Sequence, residues 1–158
     1  MAMAIYKRSV FEKIGLLDEG LIRDQDDEFH YRMNANGLKI LMDPSMEATY
    51  YVREDFRSLW SQYFYYGLYK PLVFKKVRSQ LRLRHLVPPA FVIYLLALPL
   101  MVFFSWFTIL PLIAYLILAL SFSIRISGKP RNIIYALISF LTLHIAYGAG
   151  FCLGIFKL

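Results

Sequence analysis

LVPPAFVIYLLALPLMVFFSWFTILPLIAYLILALSFSI, residues 86–124, contains no charged side chain. As one continuous helix it would reach roughly 58 Å at ~1.5 Å per residue, about twice the ~30 Å hydrocarbon core of a bilayer. Two membrane spans joined by a tight turn near Ser105-Trp106-Phe107-Thr108 account for that length. Pro99 and Pro111 then read as kinks, which membrane helices tolerate because freed backbone groups find local partners. Downstream, Arg125-Ile126-Ser127-Gly128-Lys129-Pro130-Arg131 is a short basic loop, and Ile133 to Phe156 is long enough for a third span. Gly148, Gly150 and Gly154, with Ala146 and Ala149, allow close helix–helix approach within it. His144 is its one ionisable side chain, and a hydrogen-bonded packing role is favoured over an intramembrane site.

Upstream of the charge-free run, Leu59, Trp60, Tyr63, Phe64 and Tyr66 make the stretch from Ser58 to Tyr69 aromatic. Lys70, Lys75, Lys76, Arg78, Arg82 and Arg84 then load the chain with positive charge. Aromatic, basic and amphipathic character together predict an interfacial helical segment over 56–85, lying in the headgroup region. The net charge of +7 conceals a division, because every acidic residue lies at or before Asp55. Cations flanking long apolar runs favour a membrane lipid surface over nucleic acid. The positive-inside bias sets the 70–84 cluster and the 125–131 loop on one side, two spans apart. That predicts a multi-pass protein of the inner (plasma) membrane, with its N-terminal part cytoplasmic and Lys157-Leu158 outside. A hydrophobic content of 58% is too high for an ordinary soluble domain. The single cysteine, Cys152, allows neither a disulfide framework nor a cysteine-based metal site. Met1 to Ala4 is too short for the apolar part of a signal peptide.

Residues 1–55 carry all the acids and read differently. Ile5-Tyr6 ends a strand, and Ser9 with Glu12 forms a Ser-x-x-Glu capping box for a helix over Val10 to Ile14 that Gly15 stops. A second helix runs from about Asp26 to Ala35 and closes at Asn36-Gly37. Leu38 to Met42 and Ala48 to Arg53 read as short strands. Helix, strand and strand at this spacing suggest the edge of an α/β domain. About fifty-five residues are too few for its full core.

Within this part, Asp24-Gln25-Asp26-Asp27-Glu28 gathers four carboxylates, with Arg32 one turn beyond. One reading is an acidic helix N-terminus, with Asp24 as N-cap and Asp27 at the third helical position. The other is a catalytic carboxylate held at a loop-to-helix turn. The residues alone leave both open.

The order of these segments resembles a known family. Tyr-Lys-Arg-Ser-Val-Phe-Glu-Lys-Ile-Gly (6–15), Leu-Leu-Asp-Glu (16–19), Asp-Gln-Asp-Asp-Glu-Phe-His-Tyr-Arg (24–32), Asn-Gly-Leu-Lys-Ile (36–40), Gln-Tyr-Phe-Tyr-Tyr-Gly (62–67) and Leu-Arg-Leu-Arg-His-Leu-Val-Pro-Pro (81–89) follow one another. Together they are similar to the C-terminal portion of family 2 glycosyltransferases with a GT-A fold, in the membrane-bound succinoglycan/exopolysaccharide branch. The resemblance implies a partial α/β GT-A-like catalytic segment (1–55), the interfacial segment (56–85) and about three transmembrane α-helices (86–158). It implies an inverting transfer of sugar from a nucleotide-sugar donor to a glycan or lipid-linked acceptor. By that likeness Asp26 is the catalytic base, with Gln25 where the family usually has Glu, and Asp27 is the fallback. Glu28 and Arg32 support the base, and Trp60 and Gln62 lie near the acceptor entrance. The family's divalent metal, Mg²⁺ or Mn²⁺, would take its ligands from outside this chain, which has no metal site of its own by this reading. Asp24-Gln25-Asp26 matches the family's Asp-x-Asp metal motif by letters only. Tyr65-Tyr66 stand after Gln62 where processive relatives carry Arg-Trp. Such a chain is expected to be inactive without a complementary N-terminal half that binds the nucleotide. Two further classes compete: a non-catalytic three-span partner-binding protein, and, less favoured, a transporter subunit.

Overall fold

A computed structural model describes residues 4–21, 25–49, 51–52, 54–76 and 82–157. Six α-helices occur in it, α1 (Arg8–Ile14), α2 (Gln25–Ala35), α3 (Phe56–Lys76), α4 (Leu83–Phe104), α5 (Leu110–Ile126) and α6 (Pro130–Lys157), with a 3₁₀ turn over Trp106–Ile109.

The positions of the long apolar helices follow the sequence. Leu83–Phe104, Trp106–Ile126 and Pro130–Lys157 are each long and apolar enough to cross a membrane, at about 33, 32 and 42 Å by helical rise. Much of their apolar surface faces outward, as at Leu96, Phe103 and Ile117, which suits lipid rather than water. The turn expected at Ser105 to Thr108 is the 3₁₀ turn, locked by the Thr108 hydroxyl donating to the Ser105 carbonyl at 2.7 Å. Pro99 lies inside α4 as expected. Pro111 is not a kink: it sits in the first turn of α5, where its missing N–H has no helical partner to lose.

α6 is the hub on which α3, α4 and α5 pack. Its glycines are the reason. A Cβ on Gly150 would stand 2.0 Å from the Phe64 carbonyl oxygen, and one on Gly154 would stand 2.2 Å from that of Leu68. On the other face, a Cβ on Gly148 would meet the Pro88 carbonyl oxygen at 2.4 Å. α3 therefore lies along α6, from the Phe56–Tyr135 ring stack near one end to Leu68 and Pro71 against Gly154 near the other. Within the segment expected at 56–85, residues 56–76 form α3, packed lengthwise on a candidate span, and residues 83–85 belong to α4. Cys152 Sγ lies 3.9 Å from the Pro89 carbonyl oxygen, so the first turns of α4 meet the last turns of α6. Strict alternation of three spans would hold those two ends apart. His144 is a packing residue, its Nδ1 sharing a 2.9 Å hydrogen bond with the Tyr115 hydroxyl across α5 and α6.

The N-terminal part departs from the α/β expectation. Among the described residues there is no β-strand: 4–7, 38–42, 48–49 and 51–52 are irregular, and residues 50 and 53 lie outside the description. A strand exists only through a hydrogen-bonded neighbour, and Leu41 at 91% exposure shows how little packs on this edge. Ser9 is not a cap either. α1 begins two residues earlier, after Lys7, and Glu12 pairs with Arg8 at 3.1 Å instead of closing a capping box. Both helix ends are as read: Gly15 (φ +81) and Gly37 (φ +70) take left-handed conformations that favour glycine. A small core of Phe29, Leu21 and Met33 lies under α2.

Candidate functional site

α2 opens with Asp26, Asp27 and Glu28 in its first turn, where the helix dipole favours anions. Asp24, the expected cap, lies outside the described residues. The three acids diverge around the helix and take different partners.

Asp26 is half-buried and faces Tyr6. Burial, and after it the charge of Asp26, raises the Tyr6 phenol above its ordinary pKa. Burial works against ionisation of Asp26, and backbone N–H groups at the helix start favour it. His30 stands one turn beyond Asp26 on the same helical face. Its Nε2 shares a 2.8 Å hydrogen bond with the Tyr6 hydroxyl, the donor being set by the imidazole tautomer. Beneath them lies an aromatic floor, with the Tyr6 ring edge-on to Phe29 at 5.1 Å and Phe11 stacked on Phe29 at 5.4 Å. An open groove of about 610 Å³ runs past Tyr6 and His30, walled by Ile5, Met33, Leu38 and Ile40. A carboxylate beside a linked phenol and imidazole can take a proton from a hydroxyl.

Asp27 turns outward and pairs with Lys70 of α3, Nζ to Oδ2 at 2.9 Å. Glu28 is buried and held by Arg32, whose Nε and Nη2 donate to its two oxygens at 2.6 and 2.9 Å. The same guanidinium donates to the carbonyls of Ile14 (2.5 Å) and Leu16 (2.8 Å), collecting the end of α1. Arg32 is thus a clamp between α1 and α2. Trp60 is exposed, and the Gln62 amide donates within α3 to the Tyr66 hydroxyl at 3.1 Å. Both lie about 12–15 Å along the helix from Lys70, the residue through which α3 meets α2. The structure therefore brings Asp26 together with Tyr6 and His30, and Asp27 with Lys70.

Tyr6, His30 and Lys70 were not singled out as site residues by the sequence. His30 had a signal in its spacing of four from Asp26. Lys70 had one as a lone cation between Tyr69 and Pro71 of an aromatic helix. Tyr6 had none, because twenty residues separate it from Asp26 and only the tertiary fold joins them.

No protein-family model matches the chain, and no solved structure matches it. The chain is similar to a succinoglycan biosynthesis protein. The relative is ExoA of Rhizobium meliloti (strain 1021), 27% identical over 150 residues. The match takes in 94% of this chain and 45% of ExoA, so the chain spans less than half of its relative's length. The likeness to the exopolysaccharide branch stands on this match, and a C-terminal portion fits it.

Proposed function

We propose that this chain supplies the later part of the transfer site and the membrane region of an inverting glycosyltransferase. The observation that carries the reading is the half-buried Asp26 at the start of α2, backed by the Tyr6–His30 pair, within a stretch similar to ExoA. In the reaction, the acceptor hydroxyl gives its proton to Asp26 as its oxygen bonds the anomeric carbon. The bond from that carbon to the nucleotide diphosphate breaks, with inversion. The donor is a nucleotide sugar and the acceptor a glycan or lipid-linked sugar at the inner membrane, with the acidic part on the cytoplasmic side. A divalent metal such as Mg²⁺ or Mn²⁺ would neutralise the leaving diphosphate. Its ligands would come from a complementary nucleotide-binding half.

The test is co-expression with the N-terminal part of a succinoglycan-type relative, in membranes supplied with labelled nucleotide sugars and lipid extract. Asp26→Asn is expected to lower transfer about 10²–10⁴-fold, the scale of a lost general base. Equal transfer by the variant sinks the assignment. The second reading is a non-catalytic membrane protein that binds a partner. It is favoured by the open groove and the exposed Leu41 and Met42 beside it, and it expects no transfer in any reconstitution.

A further inference from the structure

The junction of α3 and α4 gathers cations that the proposed chemistry does not use. Lys75 and Lys76 end α3, while Arg82 and Arg84 flank the start of α4. The Phe74 and His85 rings, with centroids 5.3 Å apart, pin the two helix ends together. Leu83 and Val87 project beside these cations into the surroundings, at the first turn of a helix long and apolar enough to span a bilayer. Cations at this depth meet the phosphates of lipid headgroups.

Two of the lysines at this junction already hold anions from the acidic part. Lys76 pairs with Asp18, and Lys70 with Asp27. Their accessibility differs: the Lys76 side chain is 36% exposed and the Lys70 side chain 11%. Lipid phosphate has to reach the lysine, so the open Lys76 exchanges its partner more readily than the covered Lys70, although Asp27 itself is 52% exposed.

We propose that the α3–α4 junction is a seat for anionic phospholipid headgroups, and that lipid phosphate there competes with Asp18 for Lys76 while Lys70 keeps Asp27. The inference rests on the membrane placement of α4 and not on sugar transfer. Lipid charge thereby loosens the 16–21 segment around the retained Lys70–Asp27 contact, so the composition of the bilayer sets how firmly the acidic part is docked.

The experiment compares the full chain in phosphatidylcholine nanodiscs with the same discs containing phosphatidylglycerol, reading backbone hydrogen exchange. Exchange at Leu16 to Leu21 is expected to rise about fivefold with the anionic lipid, the scale of one lysine's attraction to such a surface. Exchange in α2 is expected to stay unchanged. A Lys75→Gln, Arg82→Gln, Arg84→Gln variant should lose the rise, and the matching Lys75→Arg, Arg82→Lys, Arg84→Lys variant should keep it. Equal exchange in both discs overturns the proposal. So does an equal rise caused by inorganic phosphate over neutral discs, which would make the seat a free-anion site. Because no sugar is transferred, either result leaves the transferase reading to its own test.

Discussion

Arg32→Met separates a guanidinium that serves the fold from one that serves the base. In the structure Arg32 makes four hydrogen bonds, two to Glu28 and one each to the Ile14 and Leu16 carbonyls. The Glu28 side chain is 6% exposed, and its described partner is Arg32. Truncating one partner of a fully buried pair costs about 3–5 kcal/mol, because the other charge is left buried. Arg32 itself is 28% exposed, so screening lowers the expected cost to about 2–3 kcal/mol. That corresponds to roughly 30–150-fold in a local opening equilibrium. Hydrogen exchange of α1 and α2 reads it directly. Glu28→Gln in the Arg32→Met background should recover most of the loss, since a neutral amide does not demand the cation. A double-mutant cycle should therefore show coupling above about 1.5 kcal/mol. If Arg32→Met leaves exchange in α1 and α2 unchanged, the clamp is wrong and Arg32 is available to Asp26 as the family resemblance implies.

The remaining predictions concern the helix seam and the acidic part. Gly150→Ala puts a Cβ 2.0 Å from the Phe64 carbonyl oxygen, against an ordinary carbon–oxygen contact of about 3.3 Å. α3 and α6 must part by about an ångström, at ~1–3 kcal/mol. Thermal unfolding in detergent should show that loss, while Gly128→Ala, with nothing within 4 Å, should match the unaltered chain; equal melting of the two rejects the seam. Asp18 is held below the ordinary carboxylate value, first by the hydrogen bond from Lys76, then by the Gly20 N–H. A depressed carboxyl contributes stability that is present above its unfolded value near ~3.9 and is lost as pH falls through the folded value. Exchange at Leu16 to Leu21 should thus rise only below about pH 4. Lys76→Met should shrink the acid step to the part the Gly20 N–H supplies; an unchanged acid profile in that variant removes Lys76 as its cause.

Much of the membrane region was legible because its signals are local. Helix α4, the 3₁₀ turn, α5 and α6 follow from charge-free length, which a bilayer translates into helix count without reference to any contact. The glycine stops at Gly15 and Gly37 were legible for the same reason, since the left-handed turn is a property of one residue. The strands expected at 38–42 and 48–53 are not found among the described residues, because pairing requires a neighbour that the sequence of one segment does not contain. The acids of α2 could be located but not assigned. Their spacing places them in one helical turn, and a turn spreads adjacent residues to different sides.

The sequence by itself determined where apolar helix must form, where it must stop, and that charge divides the chain at Asp55. Tertiary structure alone decided partners: Tyr6 with His30 beside Asp26, Lys70 with Asp27, Arg32 with the Ile14 and Leu16 carbonyls, and α3 along α6. Backbone preference and hydrophobic length act within a few residues or along one helix. A hydrogen bond across 24 residues or an ion pair across 43 exists only once the packing of those helices has set the distance.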